Sequence, residues 1–367
     1  MSTEESTRDT NPAAKDIVLE IRDLRIDFDT KAGRLNAIRG VNFELERGKT
    51  LAIVGESGSG KSVTVRAVMG IQSDNEHVSG SILYHCRGKD GTVQDIDILK
   101  MKRGEVMTKI CGKHIAMVFQ DPMTTLDPTM NIGKQVMEGM LLNYHISRRE
   151  AYQKAVTLLS EVGITDPETR MKQYPHQLSG GMRQRVVIAI ALACEPDILI
   201  CDEPTTALDV TIQAKILELI ASEQKKRNIS VIYITHDLGV VAKVADYVAV
   251  MYAGRIVEMG TVREIFYDPR HPYTWGLLAS VPDISDNSRR LYSIPGNPPN
   301  LLNQIRGDVF APRNEYALAI DYEEEPPKFQ ISDTHYVYSW LEDPRAPKID
   351  RKTGKVTAAD GTGKAKA

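Results

Sequence analysis

Cysteine is scarce in this chain of 367 residues, and tryptophan and phenylalanine are few, at two and six. The four cysteines, at 86, 111, 194 and 201, show no C-x-x-C spacing. They make no disulfide framework, which excludes a stapled secreted scaffold and fits a reducing cytosol. Long apolar runs are missing as well. The longest, Val186 to Cys194, has nine residues between Arg185 and Glu195, whereas a membrane span requires roughly 20. The first fourteen residues are polar and hold no apolar core of a signal peptide. A net charge of −3 supplies no electrostatic reason to expect a nucleic-acid partner. Any work at a membrane is therefore expected from the cytoplasmic face, through partners. With 42% hydrophobic and 26% charged residues the composition is that of an ordinary globular protein. The length allows two or three domains, or one large core with appendages.

The most informative stretch is Gly55-Glu56-Ser57-Gly58-Ser59-Gly60-Lys61-Ser62, between the apolar run Leu51 to Val54 and a helical pattern from Val63 to Met69. A strand, a glycine-rich turn and a helix opening on Lys-Ser make a phosphate-binding loop. Gly55, Gly58 and Gly60 let successive N–H groups converge on one anion. The helix start adds its positive dipole end. Lys61 offers a full charge to the β- and γ-phosphates, and the Ser62 hydroxyl can ligate magnesium. The pattern implies a nucleoside triphosphate.

In chain order, residues 1–15 read as a disordered leader. Ile17 to Phe28 alternates apolar and polar side chains, and Ala37 to Leu45 repeats the pattern after a turn at Lys31-Ala32-Gly33. Both are predicted strands of a small antiparallel sheet beside the nucleotide-binding core. Phe28, at the predicted strand end, either stacks on an adenine ring or fills the core. Gly80 to Tyr84 reads as a further strand of that sheet, Gly88 to Gly91 as a turn, and Met101 to Lys113 as basic and irregular. Ile115 to Phe119 is a predicted buried strand ending on Gln120, whose amide can reach a metal ion or a water beside the γ-phosphate. Asn131–His145 and Ser147–Val162 carry helical periodicity, and Ser147-Arg148-Arg149-Glu150 has the spacing of a capping box. They read as a helical subdomain inserted at about 121–178.

Leu178-Ser179-Gly180-Gly181-Met182-Arg183-Gln184-Arg185 then opens an apolar helix. Ser179, Gly180 and Gly181 make a second anion-binding helix terminus. With one phosphate loop per chain, that second terminus is expected to serve the nucleotide of another copy. Ile198 to Cys201 delivers Asp202 and Glu203 from a strand end. Asp202 is expected to hold magnesium with Ser62 and Gln120, and Glu203 to take a proton from the attacking water. Pro204 to Asp209 turns into a helix over Val210–Lys225. The strand Ser230–Ile234 ends at His236, whose imidazole can touch the γ-phosphate and position the water. The other histidines, His77 and His145 among them, are expected on the surface.

Phe28, Gly55 to Ser62, Gln120, Leu178 to Arg185, Ile198 to Glu203, Ala207-Leu208-Asp209 and His236 match, in order, the aromatic loop, Walker A, Q-loop, signature, Walker B, D-loop and H-loop of ATP-binding cassette (ABC) proteins. The resemblance covers roughly residues 17–265. It implies an α/β P-loop ATPase domain (16–265) with an antiparallel β subdomain, the inserted helices and a C-terminal extension (266–342), followed by a disordered tail (343–367). It also implies that two cassettes meet head to tail, so that Ser179, Gly180, Gly181 and Asp209 act across the dimer.

Phe119 to Pro128, the methionine variant of the signature, and Ile265-Phe266, His271 to Thr274, Ile294-Pro295-Gly296 and Phe310 to Arg313 resemble the oligopeptide and dipeptide permease branch. That branch implies an ATPase subunit that uses ATP and Mg2+ to energise peptide uptake. Its implied partners are a paralogous second ATPase, two membrane permease subunits and an extracellular peptide-binding protein, with this chain peripheral on the cytoplasmic face. The alternatives the resemblance leaves are another cargo, such as dipeptides or nickel, because cargo is selected by other subunits, and a soluble ABC ATPase outside transport. Where many members of the branch carry cysteines suited to an iron–sulfur cluster, this sequence has Asp308 and Asn314, so no cluster is expected.

Overall fold

The computed structural model describes residues 15–88, 92–206, 208–280, 293–302 and 305–349, and the backbone of 356–357. Most of the expected leader, the turn at 89–91 and Ala207 lie outside the described residues.

Strands β1 (Ile17–Thr30), β2 (Gly33–Glu46), β4 (Glu76–Arg87) and β5 (Val93–Asp97) form an antiparallel sheet in the order β2-β1-β4-β5. The main sheet is built around β3 (Thr50–Val54), β6 (Ile115–Val118), β7 (Ile198–Asp202), β8 (Ser230–Ile234), β9 (Tyr247–Tyr252) and β10 (Arg255–Thr261). Two short strands from the C-terminal region, β11 (Lys328–Gln330) and β12 (Tyr336–Tyr338), extend it to the order β11-β12-β10-β9-β3-β8-β7-β6. Pairing is parallel from β9 to β6 and antiparallel beyond.

The central strands are apolar throughout because both faces are covered. Their side chains still alternate. Ile198 and Ile200 of β7 face one cluster, shared with the antiparallel sheet and helix α1 (Lys61–Val68). Leu199 and Cys201 face a second cluster, under α4 (Ile132–Asn143), α5 (Arg148–Glu161), α7 (Gly180–Leu192) and α8 (Val210–Arg227). The same alternation aims Asp202, the next residue, at the α1 face.

The inserted helices therefore share a core with the sheet. Short helices α3 (Pro122–Thr125) and α6 (Pro167–Arg170) complete the insert. Ser147 Oγ accepts the Glu150 N–H at 3.2 Å, but the Glu150 carboxylate turns to Lys154 at 3.9 Å, so only half of the predicted capping box forms. The stretch read as irregular contains α2 (Arg103–Lys109), which buries only Val106 and so has no apolar stripe to announce it.

After α9 (Leu238–Val244), α10 (Val262–Tyr267) and α11 (Pro272–Ala279), the C-terminal region packs on the sheet. Val309 and Phe310 join Ala52, Val54, Val250 and Tyr252 in a third cluster. Of the expected tail (343–367), 343–349 and the backbone of 356–357 are described, with β13 (Lys348–Ile349) pairing with β14 (Val356–Thr357); the rest of it lies outside the described residues.

The surface expectation for the histidines needs correcting. His271 and His335 are both 1% exposed. His335 Nε2 meets Glu258 Oε1 at 2.8 Å, and the backbone N–H groups of Arg270 and His271 donate to the same carboxylate at 2.6 and 2.9 Å. Glu258 ties β10 to the segment before α11. Glu258→Ala leaves three buried groups unpaired, and a loss of about 3–5 kcal/mol is expected. Urea unfolding at constant m-value measures it, and a loss under 1 kcal/mol would mean that water replaces the carboxylate.

Candidate nucleotide site

The loop between β3 and α1 is shaped by glycines whose backbones other residues adopt only under strain. Gly55 has φ 149°, and a Cβ there would sit 2.1 Å from the Met251 carbonyl oxygen. Gly60 caps α1 with φ 104° and no side-chain hydrogen bond, so the first N–H groups of the helix stay free for a ligand. Lys61 is 6% exposed, and its Nζ donates to the Gly55 and Glu56 carbonyls at 2.8 Å each. Ser57, Gly58, Gly60, Lys61 and Ser62 line a cavity of about 680 Å³ together with Phe28, Gln120, Glu203 and His236. That volume accommodates a nucleotide.

On the far side of the loop, Ser62 Oγ donates to Asp202 Oδ1 at 3.0 Å. Burial, and then the neighbouring Glu203, push the Asp202 carboxyl up against the Ser62 hydrogen bond. Burial pulls the Lys61 ammonium down, opposed by Glu203, Asp202 and Glu56. Both shifts come first from holding charged groups away from water. A hydroxyl and a carboxylate at a helix start are hard oxygen donors, and they suit a magnesium ion whose remaining ligands are phosphate and water.

Glu203 leaves the strand at φ 47°, a left-handed conformation that costs a residue with a side chain some strain. Its carboxylate collects three polar neighbours: Gln120 Nε2 at 3.0 Å, Thr206 Oγ1 at 3.0 Å and His236 Nδ1 at 3.2 Å. Gln120 is thus joined to Glu203 rather than to the Ser62–Asp202 pair. Phe28 lies within β1, not at its end, and faces the cavity with Leu35 and Ala37 of β2.

The remaining sequence-predicted residues are not brought into this cavity. Ser179 is exposed and caps α7 by accepting the Met182 N–H at 3.4 Å. Gly181 packs on α8, where a Cβ would lie 2.9 Å from Ile212, and Gly180 is exposed beside it. Asp209 is the exposed N-cap of α8.

Sequence reasoning missed Thr206, although its spacing of three from Glu203 across a turn was a readable signal. It also missed Leu35 and Ala37, which period-two reading of β2 could have found. Pro299, Asn300 and Leu301 line the cavity too, and nothing local in the sequence marks them.

Residues 38–206 match the ABC transporter family, and residues 257–320 match the oligopeptide/dipeptide transporter C-terminal region. The oligopeptide transport ATP-binding protein OppD of Bacillus subtilis is 58% identical over 91% of this chain and 91% of its own. The dipeptide transport ATP-binding protein DppD of Lactococcus lactis is 56% identical over 92% and 94%. Among solved structures, CbiO1 of Clostridium perfringens, part of the ABC transporter complex CbiONQ, aligns with a TM-score of 0.54 and 30% identity over 69% of this chain and 92% of that one. The dimeric ADP- and phosphate-bound ABC MJ0796 shares the fold, with a TM-score of 0.57 and 24% identity over 67% and 99%. The chain belongs to the ATP-binding cassette family, in its branch of oligopeptide and dipeptide transporter ATP-binding proteins.

Proposed function

We propose that this cassette ATPase energises the uptake of oligopeptides across a cytoplasmic membrane, working as a peripheral subunit on the inner face. The observation that carries the reading is the meeting of Glu203 with Gln120, Thr206 and His236 at the mouth of a cavity floored by Lys61 and Ser62. Lys61 and the loop amides hold the phosphates. Ser62, Asp202 and Gln120 would hold Mg2+, which would offset the charge on the transferred phosphoryl group. Glu203 takes a proton from the attacking water, while Gln120 and His236 fix the carboxylate and the water. Phe28 stacks on the base.

Ser179, Gly180, Gly181 and Asp209 then complete the site of a second cassette, a reading supported by the exposure of Ser179, Gly180 and Asp209 away from their own cavity. The branch favours a paralogue as that second cassette, two permease subunits and an extracellular peptide-binding protein. Residues 16–265 form the engine and 266–342 an extension. Among the described residues no helix is long and apolar enough to cross a membrane, so the cargo path belongs to the permease subunits. Cells lacking this chain are expected to lose uptake of labelled oligopeptides. Unchanged uptake, with any duplicate gene also deleted, overturns the cargo. The dipeptide relatives make dipeptides the second reading, and competition by unlabelled di- and oligopeptides separates the two.

Ser179→Ala removes a hydroxyl that this reading aims at a neighbour's γ-phosphate. ATP affinity of the lone chain should hold, while the ATP-dependent dimer weakens by about tenfold, the loss of one hydrogen bond to a charged group. Sedimentation velocity with ATP measures it, and an undiminished dimer removes the trans role.

A further inference from the structure

The loop that grips the phosphates is itself gripped from behind by residues far along the chain. Arg313 is 8% exposed and forks onto the Glu56 carboxylate, NH1 to Oε2 at 2.8 Å and NH2 to Oε1 at 3.0 Å. Its Nε donates to the Pro295 carbonyl at 2.7 Å, and its guanidinium lies 5.7 Å from the centre of the Tyr252 ring. All three guanidinium nitrogens donate, so the position of the group is fixed. The Glu56 backbone N–H, meanwhile, donates to the Tyr273 hydroxyl at 2.8 Å. Phe310 locks this arrangement, with its ring 5.2 Å from that of Tyr252 and 5.4 Å from that of Tyr273. Glu56 is thus held by side chain and backbone, both from the C-terminal side. It is the residue whose carbonyl, with that of Gly55, receives the Lys61 ammonium.

At the other end of the cavity the same region reaches in again. The Leu301 carbonyl accepts the Asn36 N–H at 3.1 Å, which pins Pro299, Asn300 and Leu301 along β2, where they line the cavity with Phe28 and Leu35. One part of the C-terminal region therefore braces the phosphate end and another walls the base end.

Resting on the ATP reading above, we propose that the C-terminal region is a working wall of the nucleotide site. Arg313 is a positioning residue that sets the phosphate loop through Glu56, and Leu301 closes the base end. A bidentate arginine–carboxylate pair fixes both distance and plane. Without it, Glu56 is free to turn, and the loop carbonyls that orient Lys61 turn with it. Nucleotide binding and docking of this region are then linked, each strengthening the other by the same factor.

The two ends are separable with two probes on the purified full chain, ATP without hydrolysis and inorganic tripolyphosphate as competitor. Arg313→Ala should weaken both by about tenfold, the scale of one buried charge-assisted link. Arg313→Lys, which keeps the charge and reaches one oxygen, should recover part of the loss. Glu56→Gln approaches the same link from the loop and leaves the C-terminal core untouched. It should give the same loss, and the double variant should be no worse than either single one. Leu301→Ser should weaken ATP by about fivefold through lost apolar contact and leave tripolyphosphate unchanged. A role confined to stability would lower the melting temperature without this split between probes. Arg313→Ala and Glu56→Gln both binding ATP within twofold of the native chain overturns the proposal while the native chain's own binding upholds the site. A native chain that binds neither probe overturns the nucleotide reading itself, and this one with it.

Discussion

Glutamine at position 203 should leave ATP bound and all but stop its hydrolysis. The substitution is nearly isosteric, so it keeps the left-handed backbone at φ 47° under the same strain and disturbs no packing. The amide oxygen can still accept from Gln120 or Thr206, both of which bond Glu203 Oε2 at 3.0 Å. What it cannot do is take a proton from water. Loss of a positioned general base lowers the rate by about 100-fold or more, and that is the expected drop in phosphate release. On the proposed reading the loop and Lys61 set ATP affinity, so it should change by less than about threefold. Closed dimers held by unhydrolysed ATP should accumulate. Phosphate release at the native rate would show that Glu203 is not the base, and Gln120 or His236 would then have to organise the water without it. Gln120→Ala is the informative companion. It removes one of three neighbours of the carboxylate, and its rate should fall between the native chain and Glu203→Gln.

The residues proposed for the chemistry stand out in the sequence because each sits at a boundary that physics marks. The phosphate loop lies between an all-apolar strand and a helix start, and Asp202 and Glu203 follow four apolar residues. Such strands can be read because a sheet covered on both faces needs continuous apolar runs. Two classes of feature were not legible. The first is pairing over long separations: Arg313 with Glu56, or Leu301 with Asn36, depends on how the C-terminal region returns over the sheet, and no local pattern encodes that. The second is burial that runs against residue type. His271 and His335 look like surface residues because histidine usually is one; the Glu258 carboxylate offsets the burial of the His335 ring, whereas the His271 ring is buried with Nδ1 accepting the Tyr273 N–H and burial pulling its pKa down to about 3. Short α2 and β5 escaped for a related reason, since each buries too little apolar surface to leave a period in the sequence.

Lys61→Met should cost function and spare the fold. Burial holds the Lys61 ammonium below its ordinary value despite Glu203, Asp202 and Glu56 nearby. A lysine with a depressed folded-state pKa is less content charged in the fold than in the unfolded chain. At neutral pH its charge therefore subtracts from stability, and the penalty fades only as pH rises through the folded pKa. A neutral side chain of similar length removes that cost, so the melting temperature of the free protein should hold or rise. ATP binding should move the other way. The ammonium, held 2.8 Å from two loop carbonyls, is the one lysine or arginine charge among the described residues that line the cavity, and its loss should weaken ATP by about 100-fold, near 2.7 kcal/mol. At an ATP concentration of about 100 times the native Kd, ligand binding adds about 2.7 kcal/mol to the stability of the native chain, and the methionine variant, then at its own Kd, should gain only about 0.4 kcal/mol. Thermal shift with and without ATP reads both halves at once. A variant that loses stability in the free state would mean that the ammonium's two hydrogen bonds outweigh its burial. One that keeps the full ATP-dependent shift would remove Lys61 from the phosphate site.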